Sequence, residues 1–373
     1  MAAIGYHAAM KITRVESILV KIPYHHGGPP TGFGGRVWTT LDTLLVRVET
    51  DGGLTGWGEA FGYNVIPATK AAIDELIAPL VIGRDASAIA ELSGDVQRTL
   101  HNFGRGGPLI YGVSGIDIAL WDLAGKVARR PLHRLLGSAG RDAIPAYASL
   151  MRYGDPKLVA QKTAEAVARG YRHVKLHERD VASVRAAREA AGGDVAIMLD
   201  TNCPWTVAEA IAMAHGLEPY DLHWLEEPVW PPEDYAGLAE VRRAARVPIA
   251  AGENAGSPTD LAHMMDAHAV NYVQPSVTKI GGVTAMQTVV AQAAHRNVAL
   301  VPHAPYFGPG LVATLHVLAA AAPASLFERL YVDLDATLFG GVVDAVDGRM
   351  RVPDGPGLGA DPDPDVIARF RAK

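Results

Sequence analysis

Three acidic residues each close a short apolar run: Ile197-Met-Leu-Asp200, Leu225-Glu226, and Ile249-Ala-Ala-Gly-Glu253. They stand 26 and 27 residues apart, an interval that holds one strand and one helix. Repeated strand-helix units close into a (β/α)8 barrel, and the C-terminal ends of its strands converge on one face. Three carboxylates gathered there repel one another unless a cation sits among them. An all-oxygen ligand set favours a hard divalent ion, magnesium rather than zinc. Asp200, Glu226 and Glu253 are therefore read as ligands of Mg2+.

The alternation that must position these residues begins at Ile144-Pro-Ala-Tyr-Ala-Ser-Leu150, read as the first barrel strand. Seven more strands are expected at 173–177, 195–200, 222–226, 248–252, 270–274, 299–303 and 325–328, with amphipathic helices between them. Ahead of the barrel, 11–22, 43–50 and 54–59 read as an antiparallel meander, the last two joined by the turn Asp51-Gly52-Gly53. A Gly/Pro-rich loop, 25–35, separates its first two strands and is placed to close over a ligand. Residues 67–135 read as helical, most strongly at 115–125, where small residues allow close packing. The expected division is a disordered leader at 1–10, an α+β domain at 11–135, the barrel at 136–330 and a tail at 331–373 that packs back on the first domain.

With 373 residues and 49% hydrophobic content, the chain can fill a barrel core and a second domain. A net charge of −6 without a Lys/Arg block disfavours nucleic acid and anionic membranes as partners. The single cysteine, Cys203, excludes an intramolecular disulfide and is read as a small filler. No apolar run approaches the ~18 residues of a membrane span, so a cytoplasmic location is expected.

Several motifs together resemble the enolase superfamily, in its mandelate racemase/muconate lactonizing branch, over nearly the whole length from Lys11. They are Glu49-Thr-Asp-Gly-Gly-Leu-Thr-Gly-Trp-Gly-Glu59, helix 115–125, Asp200-Thr-Asn202, Glu226-Glu227-Pro228, Gly252-Glu253-Asn254, Gln274-Pro275 with Lys279-Ile-Gly281-Gly282, and Pro302-His303. The resemblance implies a modified (β/α)8 TIM barrel with an N-terminal α+β capping domain completed by the tail. It also implies magnesium and abstraction of the proton next to a carboxylate through an enediolate. A small-molecule carboxylate is the expected substrate, and a homo-oligomer the expected assembly.

Where the family commonly has Lys-x-Lys, this chain has Lys175-Leu-His177. The two side chains share one face of a strand. His177 is assigned as acid/base and Lys175 as its electrostatic partner, with the reverse assignment open. His303 matches the second acid/base of the racemase-like branch, but Ser276 stands where an aspartate would orient it. That substitution suits a proton donor to a leaving group better than a symmetric racemase. Lys279, three residues on, is expected to point elsewhere. Glu328 matches an acid that hydrogen-bonds the substrate, for which it must carry or share a proton. Asn202, Glu227, Asn254 and Ser276 are expected to hold these groups in place. His25, His26, Phe33, Phe61 and Tyr63 are the specificity candidates. The leading expectation is a lyase that dehydrates an acid sugar to a 2-keto-3-deoxy acid. A cycloisomerase or racemase/epimerase is the alternative, and a catalytically inactive metal-binding relative comes third.

Overall fold

A computed structural model describes residues 10–137, 140–321 and 325–372. The expected leader therefore lies outside the described residues apart from Met10. The first domain is built on long antiparallel strands, Ile12–His25, Thr40–Thr50 and Thr55–Ala60. Asp333–Leu334 from the tail pairs onto the outer edge of the first strand, completing a four-stranded sheet. Helix Pro108–Ala128 packs on this sheet so closely that Gly56 and Gly58 lie against the backbone of Ala119 and Gly115. Side chains at those positions would hold the helix away. The loop after the first strand carries a small hairpin, Gly32–Phe33 with Arg36–Val37.

Eight parallel strands follow: Ala143–Ser149, His173–Leu176, Ala196–Asp200, Leu222–Glu226, Ile249–Ala251, Tyr272–Val273, Ala299–Leu300 and Phe327–Leu330. Each pairs with the next from the first to the seventh, and the eighth pairs with the first. The later strands are shorter than expected because Gly252, Pro275 and Pro302 bend the chain into loops soon after the ladder ends. Helices begin under caps that the sequence carries locally, among them Asp155, Asp180, the Thr206–Glu209 capping box, Asp234 and Ser257.

Helices Gly282–Arg296 and Pro309–Ala320 break that rule, since glycines precede both and no side chain of their own caps them. The first domain supplies the acceptors. Asp117 takes the Thr284 N–H at 3.0 Å, and Glu59 takes the Gly310 N–H at 2.8 Å. Two buried carboxyl groups thus accept the free N–H groups at helix N-termini and fasten one domain to the other. The tail is tied to the first domain by Lys126–Asp361 at 2.5 Å, Arg371–Glu16 at 2.9 Å, and the Ala372 N–H to Leu19 oxygen at 2.8 Å. Part of it also joins the barrel, because Arg349–Arg351 pairs antiparallel with the first barrel strand.

Candidate active site

Asp200 and Glu226 end adjacent strands and stand in register with one another. Glu253 lies two residues beyond its strand, after Gly252 at φ 144°, where a Cβ would come within 2.8 Å of the Gln274 backbone nitrogen. Glycine is required there to turn Glu253 inward. Ligand oxygens of Asp200, Glu226 and Glu253 lie within 4.8 Å of one another, and the first two residues are fully buried.

Lys175 reaches into this cluster and spends its three donors on Asp200 (3.2 Å), Glu226 (2.9 Å) and Glu328 (2.9 Å). Burial opposes its charge, but the charges of Glu226 and Glu328 prevail and hold the ammonium well above its ordinary pKa. Burial also opposes ionisation of Asp200, yet Lys175 and His177 pull it far below the carboxylate range. Glu226 moves the opposite way, raised by burial and by the Asp200 charge. One ammonium does not satisfy three buried carboxylates, and a further hard cation on this all-oxygen set fits both the charge and the chemistry.

The four expected supporting residues sit beside these groups. Asn202, at φ 52°, gives Asp200 Oδ1 its backbone N–H and its amide, both at 3.0 Å. Asn254 donates to both oxygens of Glu227, at 3.0 and 2.8 Å, and the Cys203 thiol donates to Glu227 at 3.5 Å. Burial, with the charges of Glu253 and Asp200, pushes Glu227 up to about 8. Ser276 Oγ lies 3.5 Å from His303 Nδ1, as does the Tyr306 hydroxyl, and the two hydroxyls bond each other.

The imidazoles face the cavity from two sides. His177 Nδ1–H donates to the Leu150 carbonyl at 2.5 Å, which turns Nε2 inward, 3.2 Å from Asp200 Oδ2. His303 Nε2 lies 2.9 Å from Glu253 Oε2. Glu328, expected to carry or share a proton, lies with Oε1 2.9 Å from the Lys175 ammonium and accepts from Ser149 Oγ at 2.8 Å. Burial favours the neutral acid, but the positive charges of Lys175 and His303 lower its pKa, helped by hydrogen bonds from Lys175 and the Ala304 N–H.

A cavity of about 310 Å³ is lined by His177, Asn202, Glu253, Asn254, His303 and Glu328 under a roof of aromatic side chains. Phe33, Phe61 and Tyr63 line it, as do Trp38 and Tyr111, which the sequence reading did not single out. Trp38 donates to Asn64 at 3.2 Å and Asn64 donates to the Phe33 carbonyl at 2.8 Å, which fastens the roof loop. His25 and His26 do not line the cavity. His25 is exposed and pairs with Asp335 at 3.4 Å, and His26 packs on Tyr153 with ring centroids 5.7 Å apart. Pairing of Tyr24 and His25 with Leu334 and Asp333 holds the start of the loop at the sheet edge.

Two cations were missed. Arg152, three residues past the first strand, donates to the His177 carbonyl at 2.6 Å and to Asn202 at 3.3 Å. Lys279 also lines the cavity, contrary to expectation, because the Gly281-Gly282 turn folds the loop back against the first domain.

Fold and site together define a capped (β/α)8 barrel with an acidic metal-binding face opposed by two histidines. Residues 33–137 match the mandelate racemase/muconate lactonizing enzyme N-terminal domain, and residues 158–366 match the enolase C-terminal domain-like family. The chain belongs to the mandelate racemase/muconate lactonizing enzyme family of the enolase superfamily. It is 31% identical to D-galactarolactone cycloisomerase of Agrobacterium fabrum, over 97% of this chain and 99% of that one. It is 31% identical to arabinonate dehydratase of Saccharolobus solfataricus, over 89% and 91% respectively. A Streptomyces coelicolor racemase solved with bound magnesium superposes with a TM-score of 0.86, at 31% identity over 97% and 100% of the two chains.

Proposed function

We propose that this protein dehydrates an acid sugar with the help of Mg2+, taking the α-proton and expelling the β-hydroxyl to give a 2-keto-3-deoxy acid. The supporting observation is the placement of His177 and His303 on two sides of one cavity above the carboxylate triad. Asp200, Glu226 and Glu253 would hold the ion, which supplies a positive charge beside the substrate carboxylate. Lys175, locked as a cation by three carboxylates, adds a fixed positive charge and has no lone pair to offer. His177 is therefore the base: its Nε2 takes the α-proton while the Leu150 carbonyl steadies the resulting imidazolium. His303 delivers a proton to the β-oxygen, the C–O bond breaks and water leaves. The enol then takes a proton at C3 and becomes the keto acid. The aromatic roof excludes bulk water from these transfers.

Cycloisomerisation of a lactone is the second reading. It is supported by the near full-length similarity to the Agrobacterium cycloisomerase, and it uses the same α-proton abstraction. Hydroxyls rather than a carboxylate face His303 Nδ1, which weighs against a symmetric racemase. The test is proton NMR in D2O with Mg2+ against aldonic and aldaric acids and their lactones. Loss of the α-proton signal with a new 3-deoxy methylene is the expected result. Exchange without a methylene would replace dehydration by epimerisation, conversion of lactones alone would favour the second reading, and inertness toward the whole panel would refute the acid-sugar assignment.

A further inference from the structure

Lys279 stands on the turn after the sixth barrel strand, and the first domain holds this turn from two directions. The Gly281 N–H donates to Ser114 Oγ at 2.9 Å, and the Phe61 N–H donates to the Thr278 carbonyl at 3.4 Å. The side chain is 5% exposed and lines the cavity beside Glu253 and His303. Its ammonium lies 4.7 Å from the centroid of the Phe61 ring, a cation-π contact. Among the described residues, no acceptor lies within hydrogen-bond or ion-pair distance of Nζ; burial lowers its pKa, and the fields of Glu253 and Glu227 oppose that fall.

That situation is costly for a buried ammonium, whose donors are ordinarily all engaged. Lys175 shows the ordinary arrangement in the same site, with three donors on three carboxylates. The donors of Lys279 instead face the space a substrate would fill. The site also divides into halves. Arg152 adjoins His177 beside Asp200, whereas Lys279 lines the cavity wall with Glu253 and His303. The His303 half is where the dehydratase reading places the departing oxygen.

We propose that Lys279 is a substrate-binding residue whose ammonium donates a hydrogen bond to the β-oxygen of the acid sugar, the atom that leaves. The inference rests on the dehydratase reading. In the step it serves, the C–H electrons freed at the α-carbon form the double bond and the β C–O pair passes to oxygen. His303 supplies the proton that completes water, and Lys279 keeps its own protons. Phe61 covers the ammonium and keeps solvent from taking the substrate's place.

The test compares full-length, Mg2+-loaded wild type with Lys279→Met and Lys279→Arg, using the acid that the wild type converts fastest. Product formation and α-proton exchange are followed by NMR in D2O, with Tm measured alongside. For Lys279→Met, product formation should fall by about 100-fold or more, as for loss of a donor to developing charge. Exchange should fall by less than about threefold, with arginine restoring part of the lost turnover. Its Tm should rise by about 2 °C, because a buried charge without an acceptor has been removed. Exchange and product formation falling together with a lower Tm would make Lys279 structural and overturn the proposal. Unchanged product formation, or a methionine variant that does not fold, would also overturn it. A wild type inert toward every acid would refute the dehydratase reading and this inference with it, whereas failure confined to the variants' profile refutes the inference alone.

Discussion

Glu59→Gln is expected to stabilise the protein at alkaline pH and to change little at acid pH. Glu59 is 5% exposed at the joint between the domains, where Oε2 accepts the Gly310 N–H at 2.8 Å. Burial raises its pKa from 4.5 to about 7, with the Gly310 and Gly308 N–H groups opposing the rise. The folded state therefore holds this proton more tightly than the unfolded chain. The associated stability is fully present below about pH 4.5 and is lost as pH rises through about 7. A rise of that size corresponds to roughly 3 kcal/mol, most of it lost between pH 5 and 8.5. Glutamine keeps an acceptor for Gly310 and cannot ionise. The difference between variant and wild type should therefore grow by roughly 3 kcal/mol from pH 5 to 8.5, or about 4 °C in Tm for a chain of this length. Thermal unfolding at a series of pH values reads this directly, and taking the difference removes every other titrating group. A variant that is equally destabilised at all pH values would show that Glu59 is an ionised helix cap, and the reasoning would fail.

His177→Ala should reduce α-proton exchange by about 100-fold or more, while Mg2+ binding followed by calorimetry stays intact; undiminished exchange would sink its assignment as base. Mg2+ at about 100 times its Kd should stabilise the wild type by about 2.7 kcal/mol. Asp200→Ala should remove that gain, and a wild-type Tm indifferent to both Mg2+ and EDTA would refute the metal site. Gly282→Ala should destabilise by about 2–4 kcal/mol in urea unfolding, because Gly282 sits at φ 81° and its Cβ would overlap Asp117. A cost below about 0.5 kcal/mol would show that the interdomain joint is softer than its geometry implies.

The barrel was legible in the sequence because each unit is local. Apolar runs of strand length, caps such as Asp155 and Thr206, and acids at a steady interval are all set by residues a few positions apart. The two-base face of Lys175 and His177 was legible for the same reason, since alternation along a strand is local geometry. What lay beyond the sequence depends on partners distant in the chain. His177 has a defined tautomer because Leu150, on the neighbouring strand's loop, takes its Nδ1 proton. Glu328 meets Lys175 because their strands, the eighth and the second, both flank the first. Lys279 enters the cavity because the first domain pins its turn. His25 and His26, in a loop that looked apt for a substrate, are carried away from the cavity while Phe33 from the same loop reaches it. Periodicity and spacing determined which elements form and which strand ends carry chemistry. Protonation states, spare donors and the roof of the cavity were decided by tertiary structure, because each depends on the field and the space created by residues that meet only when the barrel closes and the cap docks on it.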